Sequence, residues 1–455
     1  MAQLLSLPHF PARTLKLDSG LTLIHQQMSA TPAVVADVWV KAGAMQEPED
    51  APGLAHFLEH MVFKGTARIG PGIFDQVIEN RGGVSNAATS YDYAHFYINT
   101  AVHHLADTLP YLAQILLHPA IPEEEFLQER EVVMSEIRQV QDDPDWLGFS
   151  SLLENLYPDH PYGRSVLGTQ AQVLNHTPQQ MQSFHQQCYQ PENITVVLVG
   201  DITETEAIHL VSKSFVGFKK ERSSEKKGRS HKQWVALSPH HLTPDNGKKN
   251  RKTPSIFPLE TIRRKEFKYP RLEEARLMMA WLGPGVNRLS DAYALDLISV
   301  LLASGRTSRL VRELQQEQGL AYGIGSDFSL QQDSSLFTIT AWLEPKYLND
   351  VEFLIRDRLD TLRTTPILET ELRSCQRQLC NDYAFSTETP SQLAGLYGYY
   401  NTVAQARQAV SYPHRVRSLT AEEIQRVAGE YLHPDRYVVT QLKPLWRSGS
   451  GGMGG

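Results

Sequence analysis

The run His56-Phe57-Leu58-Glu59-His60 contains the residue types and the spacing for metal chemistry. Residues three and four apart share one face of a helix, so a helical reading sets His56, Glu59 and His60 side by side. Two imidazoles one turn apart fill two corners of a zinc tetrahedron. A carboxylate between them can take the proton of a water in an open position. Leu54, Leu58 and Met61 form an apolar stripe behind that face, which supports the helix. The same spacing also fits an ordinary polar face in a chain with 17 histidines, so a third donor has to be sought.

One is available in the stretch from Ile121 to Gln141. Pro122 suits the first helical position, and Glu123, Glu124 and Glu125 suit the positive end of a helix dipole. Phe126, Arg130, Val133, Ile137 and Val140 recur at helical spacing and give the stretch a mostly apolar face. Glu129 and Glu136 stand seven residues apart and share another face. Either that face is simply solvated, or both acids address one metal, with Glu136 as ligand and Glu129 orienting a ligand from behind.

His-x-x-Glu-His is the inverse of the common zincin order. HFLEHMVFKGT, GGVSNAATSYDYAHFY (Gly82–Tyr97), HPYGRSVLGT (His160–Thr169) and GRTSRLVRELQQEQGLAYGIGS (Gly305–Ser326) resemble blocks of the pitrilysin/insulinase family of zinc metallopeptidases. The resemblance is to the short-chain branch that includes the zinc-bearing subunit of the mitochondrial processing peptidase. It implies one zinc ion per chain, held by His56, His60 and Glu136, the last 76 residues after His60 as in the family. It further implies Glu129 as the acid behind a ligand and Glu59 as the general base. Tyr322 is implied at the scissile carbonyl, Phe63 beside the pocket just past the cut, and Asn86 and Ala87 on the substrate backbone.

The activity implied is a zinc-dependent endopeptidase acting on extended or unfolded peptides in a chamber closed by two chains. The second chain is another copy, or a related chain that supplies an Arg/Tyr pair. The sequence departs from the family pattern twice. The arginine seven residues before the tyrosine is Gln315 here, with Arg312 one turn further back as a substitute. The acids that read an arginine near the cut in the mitochondrial enzyme are Trp146 and Ser150, so its presequence preference does not carry over. The first departure leaves an alternative: a catalytically weak or scaffold subunit of a heteromeric peptidase complex.

The elements that must position these groups come in two copies. Thr177-Pro178 with Gln180 opens a helix that ends before Pro191 and leads into the strand-like Asn193–Gly200. Thr420 with Glu423 opens one that ends before Pro434 and leads into Arg436–Leu442. The offset is 243 residues in both, and it also carries Ala33–Val40 onto another apolar stretch at Arg276–Leu282. The fold expected is α+β: two similar domains from an internal duplication, each an antiparallel-rich sheet with helices packed on a face. Residues 1–218 form the zinc-bearing domain, 219–258 a basic flexible linker, 259–446 a second domain without metal ligands, and 447–455 a flexible tail. The offset puts Ser299, Leu302, Ala303 and Leu379 where the first copy has His56, Glu59, His60 and Glu136. In the first domain, TLKLDSGLTLIHQQ reads as a hairpin turning at Asp18-Ser19-Gly20. GGVSNAATSYDYAHFYINT reads as a glycine turn followed by one strand with aromatics at Tyr91, Tyr93 and Tyr97.

Composition bounds the partners. The chain has 455 residues, 41% hydrophobic and 21% charged, which fits two to four globular domains. No apolar run reaches membrane-span length. Residues 1–30 hold no signal-like core, and Cys188, Cys375 and Cys380 make no disulfide framework, which together point to the cytoplasm. Lys219–Lys252 is strongly basic in a chain of net charge −7, so the body is acidic and favours extended substrates carrying Lys or Arg. That basic stretch lacks interleaved aromatics beyond Trp234, which argues for a solvated joint and against nucleic acid.

Overall fold

The computed structural model describes residues 10–216, 256–270 and 272–445. The expected linker, up to residue 255, and the expected tail lie outside the described residues. The first sheet contains β1 Arg13–Lys16, β2 Thr22–Gln27, β3 Ala33–Val40, β4 Val84–Thr89, β5 Ala94–Ala101 and β6 Ile194–Gly200, in the order β1-β2-β6-β3-β5-β4. The second contains β7 Arg263–Tyr269, β8 Ala275–Leu282, β9 Gly323–Ser329, β10 Leu336–Leu343 and β11 Val438–Pro444, in the order β7-β11-β8-β10-β9. Without β1, the two orders are the same. Each has one parallel pair, β2 with β6 and β7 with β11, and is otherwise antiparallel. The duplication read from the 243-residue offset is thus present in the topology.

The helices of the first half are α1 Leu54–Val62, α2 Ile73–Glu79, α3 Val102–Leu117, α4 Glu123–Gln141, α5 Pro144–Leu156, α6 Gln170–Asn175, α7 Pro178–Cys188 and α8 Glu204–Ser214. Those of the second are α9 Leu289–Ala303, α10 Leu348–Thr364, α11 Glu369–Phe385, α12 Pro390–Val403, α13 Ala406–Ser418 and α14 Ala421–Tyr431. The capping boxes expected at Thr177 and Thr420 open α7 and α14. Such caps are worth about 1 kcal/mol each. Pro122 sits one residue outside α4, as its N-cap, not at the first helical position.

Each sheet is covered on both faces, which goes beyond the helices expected on one. Val34, Ala36, Val38 and Val40 pack with Phe57, Leu58 and Leu105 of their own half. On the opposite face Val35, Trp39, Val197 and Val199 pack with Leu393, Ala394 and Tyr397 of α12, which belongs to the second half. Reciprocally, Met278, Ala280, Val438 and Leu442 of the second sheet pack with Leu152, Leu153 and Leu156 of α5, from the first half. Glycine permits both close crossings. A Cβ on Gly398 would lie 2.0 Å from Trp39 Nε1, and one on Gly148 would lie 2.5 Å from Leu442 Cδ1. Full burial of one such apolar side chain is worth roughly 1.5–3 kcal/mol, so the exchanged helices bind the halves firmly.

The hairpin at Asp18-Ser19-Gly20 is present, with Gly20 at φ 98° and Arg13 opposite His25. The aromatic stretch is corrected: it is a hairpin of two strands, β4 and β5, joined at Ser90–Tyr93. Tyr91 and Tyr93 lie in the turn, which the Ser90 N–H closes by donating to the Tyr93 carbonyl at 2.8 Å. Groups from both halves pin this turn, since Asp92 accepts from the Tyr162 hydroxyl at 2.8 Å and from the Gln332 backbone N–H at 3.1 Å. Among the described residues, no helix is long and apolar enough to cross a membrane.

Candidate metal centre and active site

The helix α1 is built to hold three polar groups over a sealed base. Leu54, Ala55, Phe57, Leu58, Met61 and Val62 are buried, while Glu59 and His60 are half-buried. Its start is fixed from three directions. Gly53 precedes it in the left-handed region at φ 87°, where a Cβ would lie 2.5 Å from the Leu167 carbonyl oxygen. The buried Glu47 carboxyl group accepts the Gly53 and Ala55 N–H groups at 3.1 and 2.8 Å, satisfying orphan donors at the start of the helix. His176 Nε2–H donates to the Pro52 carbonyl at 3.1 Å. The HPYGRSVLGT block therefore seats the start of α1 through Leu167 and Gly168.

Packing of α1 on α4 sets the register between the two motifs. The Phe57 and Phe126 rings lie 4.6 Å apart between the helices. With that contact made, His56 Nε2 stands 3.7 Å and His60 Nε2 3.6 Å from the same oxygen of Glu136. The three donor atoms lie within 4.8 Å of one another. Donors about 2.1 Å from a tetrahedral zinc are separated by roughly 3.4 Å, so the residues fit that ion. The Glu136 side chain is 40% exposed, which leaves one side of the group open.

The supporting contacts are specific. His60 Nδ1–H donates to Glu129 Oε1 at 2.9 Å, which turns the Nε2 lone pair toward the site. Lys64 Nζ lies 2.5 Å from the other Glu129 oxygen. Thr89, on β4, donates its hydroxyl to Glu59 Oε2 at 2.5 Å. Among the described residues, His56 Nδ1 is buried without a hydrogen-bond partner.

The electrostatics follow from burial and neighbours. Burial, helped by nearby His60, lowers the His56 pKa to about 3, so its ring is a neutral donor at ordinary pH. Burial would lower His60 too, but the hydrogen bond and charge of Glu129 raise it on balance. Burial raises the Glu59 carboxyl, against the Thr89 hydroxyl and His60. That direction suits a group that must accept a proton and give it back.

Of the residues singled out in the sequence, the structure brings together His56, Glu59, His60, Glu129 and Glu136. Phe63 caps the end of α1, half-buried, with its ring against Phe74 and Phe96. Asn86 and Ala87 lie on β4, the open edge of the first sheet, with Asn86 exposed. Tyr322 stands in the other half, just before the edge strand β9, and is 54% exposed. Gln315 donates from Nε2 to the Tyr322 carbonyl at 2.9 Å, and Arg312 pairs with Glu317 at 3.5 Å. Glu47, Lys64 and Thr89 were not singled out from sequence. Of these, only Lys64 had a readable signal, its position four residues after His60.

A helix-borne His/His/Glu group beside a half-buried glutamate is a donor set of the kind that zinc metallopeptidases use. Comparison with known proteins agrees. Residues 22–170 match the family model for insulinase (peptidase family M16), and residues 175–379 match that for the peptidase M16 inactive domain. The chain belongs to the pitrilysin/insulinase family, peptidase family M16. It is similar to zinc protease PqqE of Helicobacter pylori, 27% identical over 445 residues, covering 96% of this chain and 94% of that one. It is also similar to the uncharacterized zinc protease YmxG of Bacillus subtilis, 24% identical over 428 residues, covering 94% and 97%. Among solved structures, a protease from Helicobacter pylori superposes with a TM-score of 0.82 at 26% identity, covering 96% of this chain and all of that one. Pitrilysin superposes with a TM-score of 0.73 at 17% identity, covering 95% of this chain and 44% of that one, which shows the fold alone.

Proposed function

We propose that this chain is a zinc-dependent endopeptidase that hydrolyses extended or unfolded peptides, with one zinc held by His56, His60 and Glu136. The convergence of those three donor atoms, with Glu59 held beside them by Thr89, carries this reading. Zinc, when bound, supplies a Lewis acid that makes water acidic enough to ionise near neutral pH and polarises a carbonyl. Glu59 accepts the proton of the attacking water and passes it to the departing amine. Thr89 fixes one Glu59 oxygen and leaves the other for that proton. Glu129 holds His60 in the tautomer that presents Nε2. The open edge of β4, with Asn86 and Ala87, offers backbone groups to an extended peptide, and only unfolded chain can pair with a sheet edge in this way. Metal analysis together with a peptide-library digest tests the reading. It expects one zinc per chain and zinc-dependent cleavage, and a chain that neither binds zinc nor cleaves would contradict it.

A second reading is favoured by Gln315. Its amide is engaged with the Tyr322 backbone, and Arg312 is engaged with Glu317, so neither supplies a free guanidinium beside Tyr322. On this reading the chain works with a related partner that brings the Arg/Tyr pair, in a chamber closed by the two. The fold match takes up 44% of pitrilysin, and the first half of the periplasmic protease PqqL of Escherichia coli matches over 92% of its length. Relatives long enough for a second such unit support pairing. Loss of a charged donor at a reacting carbonyl costs on the order of 2–4 kcal/mol, or roughly 30- to 1000-fold in rate. A tenfold or larger gain in Gln315→Arg supports the partner reading. A lone chain already fast, and abolished by Arg312→Ala, overturns it.

A further inference from the structure

Lys64 has no part in the chemistry above, yet its ammonium group reaches the metal centre from behind. It lies just past α1, four residues after His60, and its N–H continues the helical turn by donating to the Met61 carbonyl at 3.1 Å. The Glu129 side chain that it meets is only 10% exposed. One Glu129 oxygen takes His60 Nδ1–H at 2.9 Å, and the other lies 2.5 Å from Lys64 Nζ. We propose that Lys64 is a positioning residue for the metal site, acting through Glu129 to fix the His60 ring. The inference rests on the zinc-binding reading of His56, His60 and Glu136.

The physical argument concerns the freedom of a nearly buried carboxylate. Held at one oxygen only, it can turn about its side-chain torsions and exchange which oxygen faces His60. It also keeps a second oxygen to satisfy, at a cost that favours some other arrangement. Held at both oxygens by donors on one face, its plane is set, and charge-assisted bonds are the strong ones for this purpose. Both donors come from α1 and the turn that follows it, while the acceptor stands on α4. The Lys64–Glu129–His60 chain therefore joins the two ligand-bearing helices at a second place besides the Phe57–Phe126 contact. A lysine in an exposed ion pair would do little of this. The burial of Glu129 and its second bond to a ligand distinguish the present pair. Removing outer partners of this kind typically weakens metal binding by about 10- to 100-fold.

The test is the zinc dissociation constant of the full chain, measured by competition with a chromogenic chelator. The variants are Lys64→Met, Lys64→Arg, Glu129→Gln and the double variant Lys64→Met/Glu129→Gln. Melting of the metal-free forms is followed in parallel. The proposal expects Lys64→Met to weaken zinc about tenfold or more, in addition to any lowering of metal-free melting from the unpaired Glu129 oxygen. Lys64→Arg should recover most of the loss, and Lys64→Met should add little once Glu129 is already Gln. Wild-type affinity in Lys64→Met overturns it, as does a full additional loss in the Glu129→Gln background, which would mean that Lys64 acts by another route. Failure of the wild type to bind zinc removes the metal reading and this inference together. Normal wild-type binding with an unaffected Lys64→Met removes this inference alone.

Discussion

The two halves share a sheet order and a helix plan, yet among the described residues only the first brings together a His/His/Glu group that could hold a metal. Between α1 and α4 the first half has His56, Glu59, His60 and Glu136. On the matching helices α9 and α11 the second half has Ser299, Leu302, Ala303 and Leu379, all buried. The Ser299 hydroxyl is spent on its own helix, donating to the Asp296 carbonyl at 2.7 Å. The same helix pair has thus been left open to solvent and polar in one copy, and closed over and apolar in the other. The apolar copy is what such a helix contact looks like when stability alone is served. The polar copy carries desolvated groups that must be held by Glu129, Lys64 and Thr89.

The largest effect should come from making the first half resemble the second. His60→Ala or Glu136→Gln is expected to abolish tight zinc binding and all hydrolysis with it, while Ser299→Ala leaves both intact. Metal content after dialysis checks this. Glu59→Gln should keep its zinc and lose turnover by on the order of 10²- to 10⁴-fold. Unchanged turnover there would remove Glu59 from the chemistry.

The reverse exchange sharpens the contrast. Leu302 is fully buried, and Leu302→Ala should cost about 2–5 kcal/mol of stability without touching zinc stoichiometry. Leu302→Glu should cost more, because it would place a charge among the apolar side chains that Leu302 packs with. Thermal melting of the two variants, compared with Glu59→Leu, measures how far each half tolerates the other's residue.

The smallest effect is one of pH. Burial lowers His56 to about 3 and also lowers His176 and His185, whose Nε2–H groups donate to backbone carbonyls. An unfolded histidine titrates near about 6.5. Between the folded and unfolded values the unfolded chain binds more protons, so stability rises with pH there. The contribution is complete above about pH 6.5 and is lost as pH falls toward the folded values. Each such histidine can contribute up to roughly 1.4 kcal/mol per pH unit within its window. His60, raised by Glu129, works in the opposite sense, as do Glu47 and Asp296, which burial pushes up to about 8 and about 6. In chelator-treated protein, His56→Gln should therefore lose less melting temperature than the wild type on going from pH 7 to pH 5.

Much of this arrangement was legible in the sequence where it depends on local periodicity. Helical spacing alone put His56, Glu59 and His60 on one face and Glu129 with Glu136 on another. The 243-residue offset exposed the duplication and the apolar residues at the matching positions. What was not legible depends on contacts between distant segments. Thr89 reaches Glu59 on α1 from the strand β4, and Glu47 reaches Gly53 and Ala55 across a loop, with no pattern to signal either. The exchange of α5 and α12 was hidden because an apolar helix face does not say which sheet it will cover. The turn at Ser90–Tyr93 was missed because its aromatics have the composition of a strand, while Asp92 was pairing with Tyr162.

The most direct test is an anomalous-difference map recorded at the zinc edge from crystals grown with zinc. The expected result is one strong peak per chain, within bonding distance of His56 Nε2, His60 Nε2 and a Glu136 oxygen, and none between α9 and α11. A map with no peak at that point, or with zinc held elsewhere while the three side chains remain apart, would contradict the assignment of the metal centre to the first half.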